Sequence, residues 1–150
     1  MPARDDRHTE YADLADLILA LARAITADAH TDPAVVELTA TEVNVMRFVD
    51  RNPGTSPSAV AAATGMQRSN LSRALRDLEA KGMIARTADE HDGRQSRLHP
   101  TARAGANLAR LRAKWSRLLG GAGADPRHLR AALELLAQLE DGLAPAPATS

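Results

Sequence analysis

The stretch of sequence that decides the fold is Gly65-Met66-Gln67-Arg68-Ser69-Asn70-Leu71-Ser72-Arg73-Ala74-Leu75-Arg76-Asp77-Leu78-Glu79. Its apolar residues recur at positions i, i+3, i+4 and i+7, which is the spacing of one face of an α-helix. They are Leu71, Ala74, Leu75 and Leu78. Three arginines and an asparagine lie off this stripe, so the pattern predicts a helix with one buried face and one basic face.

The residues just before this stretch predict a second, shorter helix. Ser56 is a good N-cap, and Pro57 suits the first helical position because the N–H that it lacks would have no partner there. Gly65 then ends the short helix and opens a tight turn. A short helix, a turn and an amphipathic helix form the helix-turn-helix pattern, whose second helix enters the major groove of DNA.

After Gly82, which suits the left-handed position past a helix end, the periodicity changes. Residues 83–88 and 95–99 read as strands on either side of 89–94, and Asp92-Gly93 is among the strongest hairpin-turn signals. A β-hairpin directly after a helix-turn-helix predicts a winged helix.

Several motifs at these positions resemble the MarR family of bacterial transcriptional regulators. The wing segment Asp92-Gly93-Arg94-Gln95-Ser96-Arg97-Leu98, followed by Thr101, is similar to the family's D-x-R-x-x-x-[LV]-x-L-T signature. Leu38-Thr39, the segment 69–73 and the segment 78–86 also resemble the family pattern. The resemblance implies an obligate homodimer that places two winged helices on a palindromic operator.

The predicted helices outside this module lie near the two ends of the chain. Residues 10–29 carry a helical stripe of Leu and Ile. Thr39 and Glu42 form a capping box for a second helix, whose buried face is Val43, Met46, Phe48 and Val49. Thr101 caps a third helix that runs to about residue 119. Asp125-Pro126 starts a last helix, whose apolar face is Leu129, Leu133, Leu136, Leu139 and Leu143. A dimerisation layer from both termini is the simplest way to bury these stripes.

The predicted fold class is therefore mainly α (α+β), a winged helix-turn-helix with a helical dimerisation layer. We expect a single domain over 1–150, with the DNA-binding module at 38–101 and the dimerisation region at 10–37 and 102–143. The tail 144–150, rich in Ala and Pro, is predicted to be disordered.

Composition limits the classes of function. The chain has no Cys, which excludes disulfides, thiolate catalysis and Cys-containing zinc sites. No apolar stretch approaches the roughly 18 residues of a membrane span, so the sequence predicts a cytoplasmic protein. The net charge is zero, but residues 1–50 carry a charge of −6 whereas 51–103 carry +4, so positive charge is concentrated in the predicted DNA-binding module.

The candidate DNA-binding residues lie on the recognition helix and on the wing. Asn favours adenine and Arg favours guanine, and these contacts come from the first turns of such a helix. The helix candidates are Gln67, Arg68, Ser69, Asn70, Ser72 and Arg73. The simpler alternative is a solvated helix face.

On the wing, we expect Arg94 to enter a minor groove and Arg86 and Arg97 to contact phosphates. The family pattern implies that Asp92 orients Arg94 or Arg97 through a salt bridge. The alternative is an exposed hairpin charge pair of little energetic value.

No other chemistry is indicated by the sequence. The five histidines are scattered without metal-ligand spacing, and there is no nucleophile elbow, P-loop or G-x-G-x-x-G motif. We therefore predict a homodimeric regulator, with no cofactor or metal and no enzymatic activity, that binds double-stranded DNA as a repressor and is released by a small-molecule effector. The alternative is a dimeric winged-helix module that binds other proteins and has lost DNA binding.

Overall fold

The computed structural model describes residues 3–29, 31–88 and 96–144, and side chains from residue 6 onward. Its elements are helices α1 (Ala3–Ala29), α2 (Ala40–Arg51), α3 (Pro57–Thr64) and α4 (Arg68–Ala80), strands β1 (Ile84–Ala88) and β2 (Ser96–Pro100), and helices α5 (Ala102–Gly120) and α6 (Leu129–Leu143). A short 3₁₀ turn, Pro126–His128, precedes α6. The mainly α fold with a winged helix-turn-helix is confirmed.

Helix α2 begins with the capping box that the sequence predicts. The Glu42 N–H donates to Thr39 Oγ1 at 3.2 Å, and the Thr39 N–H donates to Glu42 Oε2 at 2.7 Å. The buried face of α2 differs from the prediction, because Val45 is fully buried whereas Val43 is 41% exposed. Since Glu42, Val45 and Val49 already define the face at helical spacing, Val43 lies about a quarter-turn away from it.

Helices α3 and α4 form the helix-turn-helix. Ser56 Oγ accepts the Ala59 N–H, and Gly65 ends α3 with φ of 67°, a left-handed conformation in which glycine has no Cβ to clash. The four residues predicted to be buried on α4 are all buried: Leu71, Ala74, Leu75 and Leu78. Together with Val45, Val49 and Val60 they form the centre of the core.

The hairpin follows α4 after a tight turn at residues 81–83. Gly82, with φ of 70°, passes the chain from α4 into β1, and β1 pairs antiparallel with β2 in a register that sets Arg86 opposite Leu98. Leu98 is fully buried and also forms a bridge with the chain before α3. Its N–H donates to the Thr55 carbonyl at 2.8 Å, and its carbonyl accepts the Gly54 N–H at 2.8 Å. The hairpin is thereby fixed to the loop before α3. The predicted Asp92-Gly93 turn lies outside the described residues.

The chain divides into two compact units. One comprises Met1–Val35 and Arg110–Gly123, and the other comprises Val36–Ala109 and Ala124–Ser150. In the first unit, Lys114 Nζ donates to the carbonyl of Asp28 and to Thr31 Oγ1. In the second, the buried Asn107 side chain accepts the Val36 N–H at 2.8 Å and donates to the Val36 carbonyl at 3.4 Å.

Two helices expose the apolar stripes that the sequence predicts. On α1 and α6 the large exposed residues include Leu17, Ile18, Leu21, Leu129, Leu133, Leu136 and Leu143. Leu139 is the residue of α6 with partial burial.

Within the described parts of the chain, every helix is too short or too polar to cross a membrane. The predicted tail lies outside the described residues except for Ala144.

Candidate nucleic-acid interface

The outer face of α4 is polar and exposed to solvent. Arg68, Ser69, Asn70, Ser72 and Arg73 are all exposed. Their direction is fixed because the opposite face of the helix, at Leu71, Ala74, Leu75 and Leu78, is buried in the core. The structure therefore brings the five side chains together on one surface in the first two turns of α4, as the sequence predicts.

Gln67 occupies the N-cap position of α4 but does not cap it. Its backbone is extended, and its side chain makes no capping hydrogen bond. Ser, Thr, Asp or Asn at this position would accept one of the first N–H groups of the helix. Without such a cap, the first turn of α4 presents backbone donors and the positive end of the helix dipole, an arrangement suited to a phosphate.

Arg86 has a partner that the sequence analysis missed. Its Nε donates to Glu79 Oε1 at 2.8 Å, and both side chains are about one-third exposed. This ion pair joins β1 to the last turn of α4, so Arg86 fixes the wing to the recognition helix in addition to its predicted contact with phosphate. The signal was the tight turn at 81–83, which brings residues on either side of it together.

The remaining wing residues differ in how far the structure describes them. Arg97 donates from Nη1 to the Gly54 carbonyl at 3.3 Å, which places its guanidinium beside the loop that follows α2. Asp92 and Arg94 lie outside the described residues. Their predicted roles, with Arg94 in a minor groove and Asp92 orienting an arginine, stay predictions.

An ion pair between the buried Glu42 and the one-third exposed Lys81 joins the first turn of α2 to the end of α4. Lys81 Nζ donates to Glu42 Oε2 at 2.7 Å, to Glu42 Oε1 at 2.9 Å and to the Glu37 carbonyl at 3.0 Å. Burial alone raises the pKa of the Glu42 carboxyl, but hydrogen bonds from Lys81 and Thr39 and the charge of Lys81 outweigh it, so this pKa lies below its ordinary value. Burial raises the pKa of Asp50, which is also on α2.

The histidines and acidic residues do not converge on a metal site in the described part of the chain, where no group of three or more potential ligands occurs. His99 instead lies across the hairpin from Thr87, with 3.3 Å between Nε2 and Oγ1. The side chains that the structure brings together at the exposed face of α4 are amides, hydroxyls and guanidinium groups, which form hydrogen bonds and are not the usual ligands of a metal ion.

The fold and this exposed basic helix define a winged helix-turn-helix protein. Residues 37–95 match the model of the MarR family. A transcriptional regulatory protein assigned to the hcr operon of Thauera aromatica is 36% identical over 67 residues, which span 45% of this chain and 40% of that protein's length.

Two solved structures extend the comparison to most of the chain. A transcriptional regulator from Pseudomonas aeruginosa PA01 is 29% identical with a TM-score of 0.70, over 91% of this chain and 96% of that one. The transcriptional repressor CouR, bound to a 23-mer DNA duplex, is 30% identical with a TM-score of 0.60, over 83% of this chain and 89% of that one. The chain belongs to the MarR family, whose members are transcription regulators and not enzymes.

Proposed function

We propose that this protein is a cytoplasmic repressor that binds a pseudo-palindromic operator as a homodimer and leaves it when a small molecule binds. Each α4 enters a major groove, with the two helices about one DNA turn apart, roughly 34 Å, and each wing lies in a flanking minor groove. The observation that carries the proposal is the exposed face of α4, where five polar side chains stand opposite four buried ones.

The side chains on this face match the edges of DNA bases. Asn70 can form two hydrogen bonds with adenine, and Arg68 or Arg73 can do so with guanine. All three lie within the first two turns of α4, the part of a recognition helix that reaches the bases. Ser69 and Ser72, with Gln67 before the helix, add uncharged hydrogen-bonding groups beside them, which favours a surface that reads sequence over one that only attracts phosphate.

The exposed leucines support the homodimer. Large apolar side chains at consecutive turns of α1 and α6 form stripes of the kind that mark protein interfaces. A second copy of the chain related by twofold symmetry has the same stripes, so the two copies can pack them against each other. The same symmetry would relate the two α4 helices, as the two halves of a palindromic operator require. The relative CouR is named a repressor and is bound to a DNA duplex, which supports the repressor role proposed here.

An open surface pocket in the first unit is a place where an effector could bind. It has a volume of about 280 Å³ and is lined by Asp28, Lys114, Arg117 and Leu118. Lys114 already pairs with Asp28, 3.7 Å from its carboxylate, so Arg117 is the cation that favours a small anionic molecule here. Such a molecule can release DNA only if it binds a dimer with wrongly spaced recognition helices more tightly than it binds the DNA-binding form of the dimer. The factor by which it weakens DNA binding is limited by the ratio of these two affinities.

Salt dependence tests DNA binding against the protein-interaction alternative. We expect a duplex selected from a random pool to bind tightly at low salt and to lose about a thousandfold in affinity between 50 and 200 mM salt, because phosphate contacts release counterions. Fluorescence anisotropy of the labelled duplex measures the slope. A protein that binds no duplex, or binds all duplexes independently of salt, would instead be the interaction module.

Replacing Asn70 by Ala tests base reading. We expect the variant to lose its preference at one base pair of each half-site, where the wild type discriminates by roughly 5-fold to 150-fold, because two hydrogen bonds to a base are lost. Arg94→Ala is the contrasting variant, since it should weaken binding to many sequences together. Competition with single-base operator variants measures both. An Asn70→Ala protein weakened equally on every operator variant does not read a base through Asn70.

A further inference from the structure

Helix α6 carries one charged residue within its leucine stripe. The exposed leucines of the stripe are spaced four, three and seven residues apart: Leu129, Leu133, Leu136 and Leu143. Glu140 divides the last interval into four and three residues, so it stands where the next leucine of this spacing would be. At 100° per residue, Glu140 points within about 20° of Leu129, so it lies near the middle of the exposed apolar face. A glutamate in the middle of an apolar stripe requires a partner, because burial of an unpaired carboxylate is costly.

That partner is on α2 of the same compact unit. Arg47 Nη2 donates to Glu140 Oε1 at 2.6 Å, and Arg51 Nη1 lies 3.6 Å from the same oxygen. The two arginines are one helical turn apart on α2, so both guanidinium groups can approach the same carboxylate. The Arg47 and Glu140 side chains are each about half exposed, so the ion pair that joins α2 to α6 lies at the protein surface.

Helix α2 is in turn fixed to the recognition helix. Val45 and Val49 of α2 are fully buried in the core that also holds Leu71, Leu75 and Leu78 of α4. The ion pair of Glu42 and Lys81 adds a second link between α2 and the end of α4. A contact that fixes α6 on α2 therefore also fixes the direction of α4 relative to the leucine stripe.

We infer that Glu140 is a positioning residue for DNA binding: its ion pairs with Arg47 and Arg51 set the angle between the dimer interface and the recognition helix. The inference rests on the proposed function, since it takes the stripe of α6 as the dimer interface. A single polar residue in an apolar seam is a known means of fixing register and orientation. A half-exposed ion pair stabilises the fold little, so its main effect is on geometry.

The test compares Glu140→Gln with the wild type on two duplexes at low salt, one with both half-sites and one with a single half-site. We expect binding to the two-half-site duplex to weaken about tenfold, because the small loss at each protomer is multiplied across the dimer. Binding to the single half-site should change less than about twofold. Glu134→Gln, which removes an exposed acid of α6 away from the stripe, is the matched control and should bind both duplexes like the wild type.

Charge reversal separates this ion pair from a general effect of charge. Arg47→Glu alone should resemble Glu140→Gln or be weaker on the two-half-site duplex, and the double variant Arg47→Glu/Glu140→Arg should recover most of that affinity. Sedimentation should show the same dimer for each protein.

Three results overturn the inference. The first is tighter binding of Glu140→Gln to both duplexes, which would mean that Glu140 acts by repelling phosphate. The second is unchanged binding to both, and the third is a monomeric variant beside a dimeric wild type. Failure of the wild type itself to bind either duplex would instead reject the proposed function, so the two failures are distinguishable.

Discussion

The double substitution Leu133→Glu/Leu136→Glu is expected to convert the proposed dimer into a monomer with the 16.0 kDa mass of the chain. Both leucines are exposed in the single chain, Leu133 by 60% and Leu136 by 41%, so the substitutions should leave the fold of the protomer intact. In a dimer they would place two carboxylates per chain in an apolar interface, where desolvation opposes association. Sedimentation equilibrium measures the mass, and circular dichroism checks that the helices remain.

The same variant should bind a two-half-site operator about a hundredfold more weakly or worse, because a monomer loses the effective concentration that linkage of two DNA-binding modules provides. Binding to a single half-site should change little. Gln138→Glu is the control, since it adds one carboxylate to the side of α6 opposite the stripe. A double variant that stays dimeric and binds normally would show that the leucine stripe of α6 is not the dimer interface.

Lys81→Met is expected to lower the free energy of unfolding by about 2 kcal/mol at pH 7. The substitution keeps the aliphatic volume but removes three hydrogen bonds, two of them to the buried Glu42 carboxylate. The expected loss is below the usual range for a broken buried ion pair because Lys81 is itself one-third exposed to solvent. Urea denaturation of the two proteins measures the difference.

The effect of Lys81→Met should depend on pH in a defined direction. The pKa of Glu42 is lowered in the folded protein, so its ionised form contributes stability above the carboxyl's ordinary pKa, and that contribution is lost as pH falls through the lowered value. In the variant, burial of Glu42 is no longer offset by Lys81. The stability difference should therefore be largest near neutral pH and shrink below about pH 4.

Glu42→Gln provides the control for this ion pair. In the Lys81→Met background, Glu42→Gln should restore part of the stability at pH 7, because a neutral amide loses less on burial than an unpaired carboxylate. Its side-chain oxygen can still accept the Thr39 N–H and keep the cap of α2. If Lys81→Met were equally destabilising at pH 7 and pH 3, the loss would come from the hydrogen bond to the Glu37 carbonyl and not from the charge of Glu42.

Most of the winged helix could be predicted because its signals are local. The cap at Thr39, the N-cap at Ser56, the left-handed glycines at 65 and 82 and the stripe on α4 each depend on residues within a turn or two of one another. Such local signals predict the structure correctly where tertiary packing buries the same residues that the periodicity indicates, as it does on α4. The five exposed residues on the helix surface follow from the same periodicity.

Prediction was wrong or silent where distant residues meet. Val43 looked like a core residue, but the packing of α2 buries the neighbouring Val45 and leaves Val43 exposed. Arg86 was predicted only as a phosphate contact, although the tight turn at 81–83 brings it beside Glu79. The pairing of Arg47 with Glu140, 93 residues apart, has no sequence signal at all.

By itself, the sequence determined the order of the elements, the family and the surface of α4 that faces outward, because helix periodicity and caps are set by near neighbours. Only the tertiary structure decided which charges are paired: Glu42 with Lys81, Glu79 with Arg86, and Glu140 with Arg47. The physical reason is that an ion pair depends on a distance of a few ångströms between side chains. Chain folding sets that distance, whatever the number of residues in between.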